Sequence, residues 1–327
     1  MDVFESPCDV FLDTNESSYG SNEVAGTPSL KQIEENNALE QLKLKLQEPT
    51  SKLLENHQLL PLLGQLKIMS RKQQARVLMG RDGISAVINH LINSRTITKV
   101  AAEGSNVILN VCYEKNNVCQ VLECGGAVLL VEFLSSCDEE LQANAAGALQ
   151  SICYQPEGRL AVRNLGAIPL LVKLLDVQSV HVKARAVGAL HNISSDVDAI
   201  RVIRRKGGIL SLVTMLNNSH PLVCGSAAGA LQNISREVAS RMLIRESKAL
   251  PLLVGLLANA EVQVRVCAVG ALLNVLGPEM NRSGRISATT EQKRRAFIRT
   301  ITTMLLASLV FDTYYCPTVS QKNPQEN

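Results

Sequence analysis

One decapeptide returns four times along the chain. It reads AAGALQSICY from Ala145, AVGALHNISS from Ala186, AAGALQNISR from Ala227 and AVGALLNVLG from Ala268, and its glycines, Gly147, Gly188, Gly229 and Gly270, fall 41 residues apart. A fixed period near 40 restricts a chain to repeat architectures. In these, each unit is a small group of elements that can bury its apolar face only on its neighbours.

The period divides into whole units at Gly125–Leu165, Gly166–Lys206 and Gly207–Ser247, with a fourth starting at Lys248. A less regular unit runs from about Asp82 to Cys124, and its Asn110 falls on the same grid. HQLLPLLGQL, from His57, is either the end of a further degenerate unit or an N-terminal cap. Each unit has the same grammar. A short segment such as DAIRVIRRK reaches a Gly or Gly-Gly break, an apolar run such as IPLLVKLL follows, then a polar loop, then the longer segment containing GAL. Glycine directly after a helix suits a left-handed C-cap. Ala186, Ala189, Leu190 and Ile193 keep the i, i+3, i+4, i+7 spacing of one buried helix face. Hydrophobic residues make up 46% of the 327 and aromatics only 3%, so the core is built from Leu, Val, Ile and Ala. That composition suits closely packed helices better than a barrel or a sandwich.

Three helices in 41 residues, in runs such as AVGALHNISS…RRKGGILSLVTML, closely resemble the armadillo repeats of the catenins. The resemblance covers residues 82–288 and implies an all-α, right-handed α-solenoid of stacked three-helix repeats. With composition and pattern at the two ends, the chain divides into an acidic, disordered tail (1–28), an N-terminal helical segment or degenerate cap repeat (29–81), the repeats (82–288) and a C-terminal capping helix with a flexible tail (289–327). The resemblance also implies that the third helix of each repeat lines a concave groove, where an asparagine ladder bonds the backbone of an extended peptide. Carried over by position, the ladder is Asn110, Asn192, Asn233 and Asn274, with Ser151 standing in the second unit. Arg185 shares its stripe, three residues before Gly188. An amide offers two donors and an acceptor, enough for both groups of a bound main chain. The same asparagines could instead bridge neighbouring helices. The stripe glycines likewise fit either tight helix stacking or an open groove floor. Importin-alpha proteins, a related group, place tryptophan four residues before the groove asparagine. Here that position holds Asn106 and the four glycines, and the chain has no Trp, so a tryptophan-walled site for basic peptides is not expected.

Motifs for catalysis are missing. There is no P-loop, no dinucleotide glycine fingerprint, no G-x-S-x-G and no metal-ligand spacing, so neither an enzyme nor a cofactor is expected. The nine cysteines form no C-x-x-C pair. Cys112, Cys119, Cys124, Cys153, Cys224 and Cys267 read as small buried hydrophobes of a reducing compartment. Residues 1–59 carry a net charge of −7 and the remainder +10. The basic solenoid points to an acidic partner segment, extended or helical. Basic residues without interleaved aromatics argue against nucleic acid. The cluster Arg201, Arg204, Arg205 and Lys206 reads as an ordinary solvated face, with Lys183 and Arg185 the better candidates for ligand contact.

The opening MDVFESPCDVF is acidic, unlike a signal peptide, and the apolar run 296–311 is interrupted by Arg299 and short for a membrane span. The functional expectation is a non-catalytic scaffold in the cytoplasm, with nucleus and cilium as alternative sites. A structural part of a large assembly such as a ciliary axoneme, or a membrane-associated adaptor using the C-terminal basic helix, are the other readings.

Overall fold

The computed structural model describes residues 30–47 and 56–276. The acidic tail at 1–28, the capping helix at 289–327 and the end of the repeat region beyond 276 lie outside the described residues. Among those described, sixteen α-helices follow one another with no strand.

The helices are α1 (Leu30–Gln47), α2 (Asn56–Met69), α3 (Gln73–Asn93), α4 (Thr98–Val111), α5 (Lys115–Glu123), α6 (Gly126–Phe133), α7 (Glu139–Ile152) and α8 (Pro156–Asn164). They continue with α9 (Ala167–Lys173), α10 (Val180–Ile193), α11 (Val197–Arg205), α12 (Gly208–Met215), α13 (Pro221–Ile234), α14 (Val238–Glu246), α15 (Ala249–Gly255) and α16 (Val262–Leu276). One 3-10 turn extends α9 and another extends α15. From α4 onward the pattern is a long third helix, a short first helix and a middle helix, repeated.

Local chemistry sets these boundaries. Between first and middle helices the backbone enters the left-handed region at Gly125, Gly166 and Gly207, with φ of 78°, 74° and 77°. Glycine meets no Cβ penalty there. The fourth repeat has Lys248 at the same place, with φ 60°. Asp138 caps α7 by accepting from the Leu141 amide at 2.8 Å, and Asp196 caps α11 through the Asp198 amide at 2.9 Å. Pro156 and Pro221 open α8 and α13, where a missing N–H costs nothing. At the other end, Arg159 donates to the carbonyls of Cys153 and Tyr154 beyond α7, and Arg241 to that of Ser235 beyond α13. Cations suit those C-terminal carbonyls.

The core is a single stack. α2 packs on α4, and α4, α7, α10, α13 and α16 each pack on the next. Ile108, Leu149, Leu190, Leu231 and Leu272 occupy one register and are buried. Ala145, Ala186, Ala227 and Ala268 are buried beside them, small enough to let helix axes approach. Burying each such leucine contributes about 1.5–3 kcal/mol. α2 therefore stands where a third helix would, with Pro61 on its exposed side. α1 buries Leu39, Leu42 and Leu46 and packs on α2 and α3. α3 breaks at Gly80 (φ 56°), so its two halves serve as a first and a middle helix.

The sequence expectation for the cysteines holds at Cys112, Cys153, Cys224 and Cys267, which are buried, and needs correction at two others. Cys119 lies on the outward side of α5 and is exposed, and Cys124, just past that helix, is half-buried. Burial pushes the Cys153 thiol up to about 12, partly offset by the nearby Arg159, and raises Cys112 further. Both are inert as nucleophiles at neutral pH.

Candidate functional site

The third helices form one continuous surface, and the ladder positions lie along it. Asn192 donates its amide to the Gln150 carbonyl at 2.8 Å, and Asn274 to the Gln232 carbonyl at 3.1 Å. Asn233 donates towards the His191 carbonyl at 3.3 Å and the Ser194 hydroxyl at 3.1 Å. Asn110 donates to the Lys67 carbonyl at 3.1 Å and the Ser70 hydroxyl at 3.0 Å. Each of the four thus reaches back to the end of the preceding long helix, where carbonyls lack intrahelical partners. The bridging role is realised at all four asparagines.

What remains on each amide differs. Asn110 and Asn233 are 8% and 7% exposed, and Arg236 donates to the Asn233 carbonyl oxygen. Asn192 and Asn274 are half-buried, and each shows one hydrogen bond from its NH2 group. A second N–H and an acceptor oxygen stay on offer there, already oriented by the first bond. Ser151, in the same register on α7, is 7% exposed.

The stripe glycines are contact points. A Cβ on Gly188 would stand 2.6 Å from the Gln150 amide, one on Gly229 2.4 Å from His191 Nε2, and one on Gly270 2.2 Å from Gln232 Nε2. On Gly147 it would stand 2.5 Å from Leu109 Cδ1. The residue before each ladder position therefore lies flat on the next repeat's glycine, which decides for stacking over an open floor. Arg185 reaches back across the same surface. Its Cδ lies 3.2 Å from the point a Gly147 Cβ would occupy.

Two bridging amides escaped sequence reasoning. Asn144 donates to the Ala102 carbonyl at 3.1 Å, and its own oxygen accepts from Asn106 at 3.1 Å. They lie in the register of Arg185 and Gly188, a signal that was visible only as irregularity in the repeat.

The third-helix surface carries cations: Arg185 is half-buried on α10 and Lys99 exposed on α4, with His181 exposed on the same side. Lys183 lies on the opposite side of α10, in the register of Gln142 and Arg265, whose side chains reach carbonyls of the loop before the helix. Glu140 is exposed on α7, while Glu103 is engaged by Lys67 at 2.8 Å. On the first helices, Arg163 pairs with Asp196 at 2.6 Å and Arg204 with Glu237 at 2.9 Å, and Arg245 reaches the Val275 carbonyl at 2.9 Å. Arg204 of the basic cluster is thus a link between repeats rather than part of a solvated face. Among the described residues no group of three His, Cys, Asp or Glu side chains could hold a metal ion, and no helix is long and apolar enough to cross a membrane.

The model of the armadillo/beta-catenin-like repeat matches residues 155–195 and 196–236. These are two consecutive units of the 41-residue period. This is an armadillo-repeat protein. Solved structures agree with the assignment. An engineered protein from the Northeast Structural Genomics Consortium is 27% identical, with a TM-score of 0.66 over 73% of this chain and 96% of its own. A second engineered protein from the same source is 26% identical, with a TM-score of 0.69 over 87% of this chain and 66% of its own. A designed armadillo repeat protein in complex with the peptide (KR)4 is 26% identical, with a TM-score of 0.63 over 72% and 99%. No curated protein matches the sequence. The armadillo match falls on α8 to α13, the part of the stack with the most regular repeats.

Proposed function

We propose that this armadillo-repeat protein is a non-catalytic scaffold that holds an extended, acidic segment of a partner protein along its third-helix groove. The observation that carries the reading is the pair of oriented, half-buried amides at Asn192 and Asn274, two repeats apart on one face. Each has a donor and an acceptor to spare. Main-chain groups of an extended peptide would meet these amides, while neighbouring side chains select its sequence. Arg185, on the same stripe of α10 as Asn192 and two turns before it, favours carboxylates. The designed relative's peptide is basic, and Arg185 argues for the opposite charge here. Asn110 and Asn233 have less to offer a ligand, and their part in the ladder is chiefly to fix one repeat on the last.

A binding screen of the full-length chain against a randomised peptide display library tests this. Enriched peptides are expected to be acidic. For an enriched peptide, Asn192→Ala and Asn274→Ala should each weaken binding about fivefold, the worth of one net hydrogen bond. Arg185→Glu should weaken it further and in a salt-dependent way. Enrichment of basic peptides, or affinities indifferent to all three changes, would overturn the groove assignment.

A further inference from the structure

The first helices carry a second surface that the groove does not use. Val197 (61% exposed), Val238 (60%), Met242 (55%) and Leu160 (49%) project from α8, α11 and α14. They follow the repeat. Pro156, Val197 and Val238 share one register, and Leu160, Arg201 and Met242 share the next turn. Large apolar side chains recurring on one exposed ridge mark an interaction surface rather than chance exposure. Cations sit among them. Arg201 is 54% exposed in a pair with Asp198, which is 58% exposed, and Arg205 and Lys206 are exposed behind it. The other exposed acids on these helices are Glu157 and Glu246.

The ridge asks for a ligand that is both apolar and acidic, and the chain contains one. Residues 2–13 read DVFESPCDVFLD, with Asp-Val-Phe twice and four acids. The first base in the chain is Lys31. Reach is sufficient. α11 belongs to the repeat of α13, four stacking layers beyond α2, about 40 Å at the usual spacing of packed helices. The residues from Leu12 to Leu30 can span about 60 Å. A tether of this length supplies a high effective concentration, so weak contacts suffice. We propose that the α8–α11–α14 ridge is a docking surface for the chain's own acidic segment, residues 2–13. An outside partner for the ridge would then have to displace that segment.

The test is photo-cross-linking of the full-length chain with Phe11→p-benzoylphenylalanine, mapped by mass spectrometry. Cross-links are expected within one chain, to 197–206 or 238–246, with a yield unchanged by dilution. Arg201→Glu/Arg205→Glu should lower that yield about fivefold. Both residues are solvent-facing, and circular dichroism checks that the fold is kept. Lys99→Glu, a charge change of the same sign in the groove, should leave it unaltered. Cross-links into the groove helices α7, α10 or α13, cross-links only between copies, no cross-link, or indifference to the double charge reversal would each overturn the proposal.

Discussion

Single residues set how closely the repeats approach. His191 lies on Gly229 with its ring nearly enclosed, at 4% exposure, so Gly229→Ala forces a rigid buried side chain to move. Overpacking of this kind costs about 1–3 kcal/mol. Gly270→Ala meets the far end of Gln232, which is half-buried and flexible, and should cost less. Urea titrations of the two variants would order them, and His191→Ala should recover part of the Gly229→Ala loss because the two sites touch. Lys248 is the second residue-scale outlier. An L-residue in the left-handed region is strained by about 1–2 kcal/mol, and the three preceding repeats use glycine there. Lys248→Gly is expected to raise stability by about 1 kcal/mol net of the added chain entropy, read as a higher urea midpoint at unchanged slope.

Elements are linked by charge as well as by packing. Arg204 holds the Glu237 carboxylate through two hydrogen bonds, of 2.9 and 3.0 Å, and this lowers the Glu237 pKa from its ordinary 4.5. Ser240 adds a bond of 2.6 Å to the same carboxylate. A depressed carboxylate contributes stability above its unfolded pKa and loses it as pH falls through the folded value. The α11–α14 link should therefore be fully present at neutral pH and fade below 4.5. Glu237→Gln should destabilise the chain by about 1 kcal/mol at pH 7. That difference from wild type should vanish in acid, and a thermal melt series across pH would record the convergence. One repeat on, Arg245 donates to the Val275 carbonyl, and the sequence has Pro278 in the register of Glu237.

At the scale of the molecule, stability is close to a sum over neighbouring repeats. α7, α10 and α13 each have a long helix packed on both sides, whereas α1 packs on α2 and α3 at one end of the stack. Amide hydrogen exchange should accordingly be slowest in α7, α10 and α13 and clearly faster in α1. Uniform protection from α1 to α16 would mean that the stack opens as one cooperative unit instead.

Much of this was legible in advance. The 41-residue period, the glycine breaks and the apolar face of the GAL helix depend on neighbours in sequence, and backbone preferences and helical periodicity act at that range. They determined the number of helices per unit, the left-handed caps and the leucine and alanine register of the core. The ladder positions were readable too, because they share the period. What only the tertiary structure decided is how each amide and each glycine is used. Asn233 and Asn192 look alike in sequence, yet one is sealed by Arg236 and two serines and the other keeps a donor and an acceptor. Gln150, His191 and Gln232 each fill a glycine slot 38 residues ahead, and Arg204 meets Glu237 33 residues on. Those pairings depend on how far one repeat rotates on the next. That rotation comes from the packing of whole helices, which no single unit of the sequence encodes.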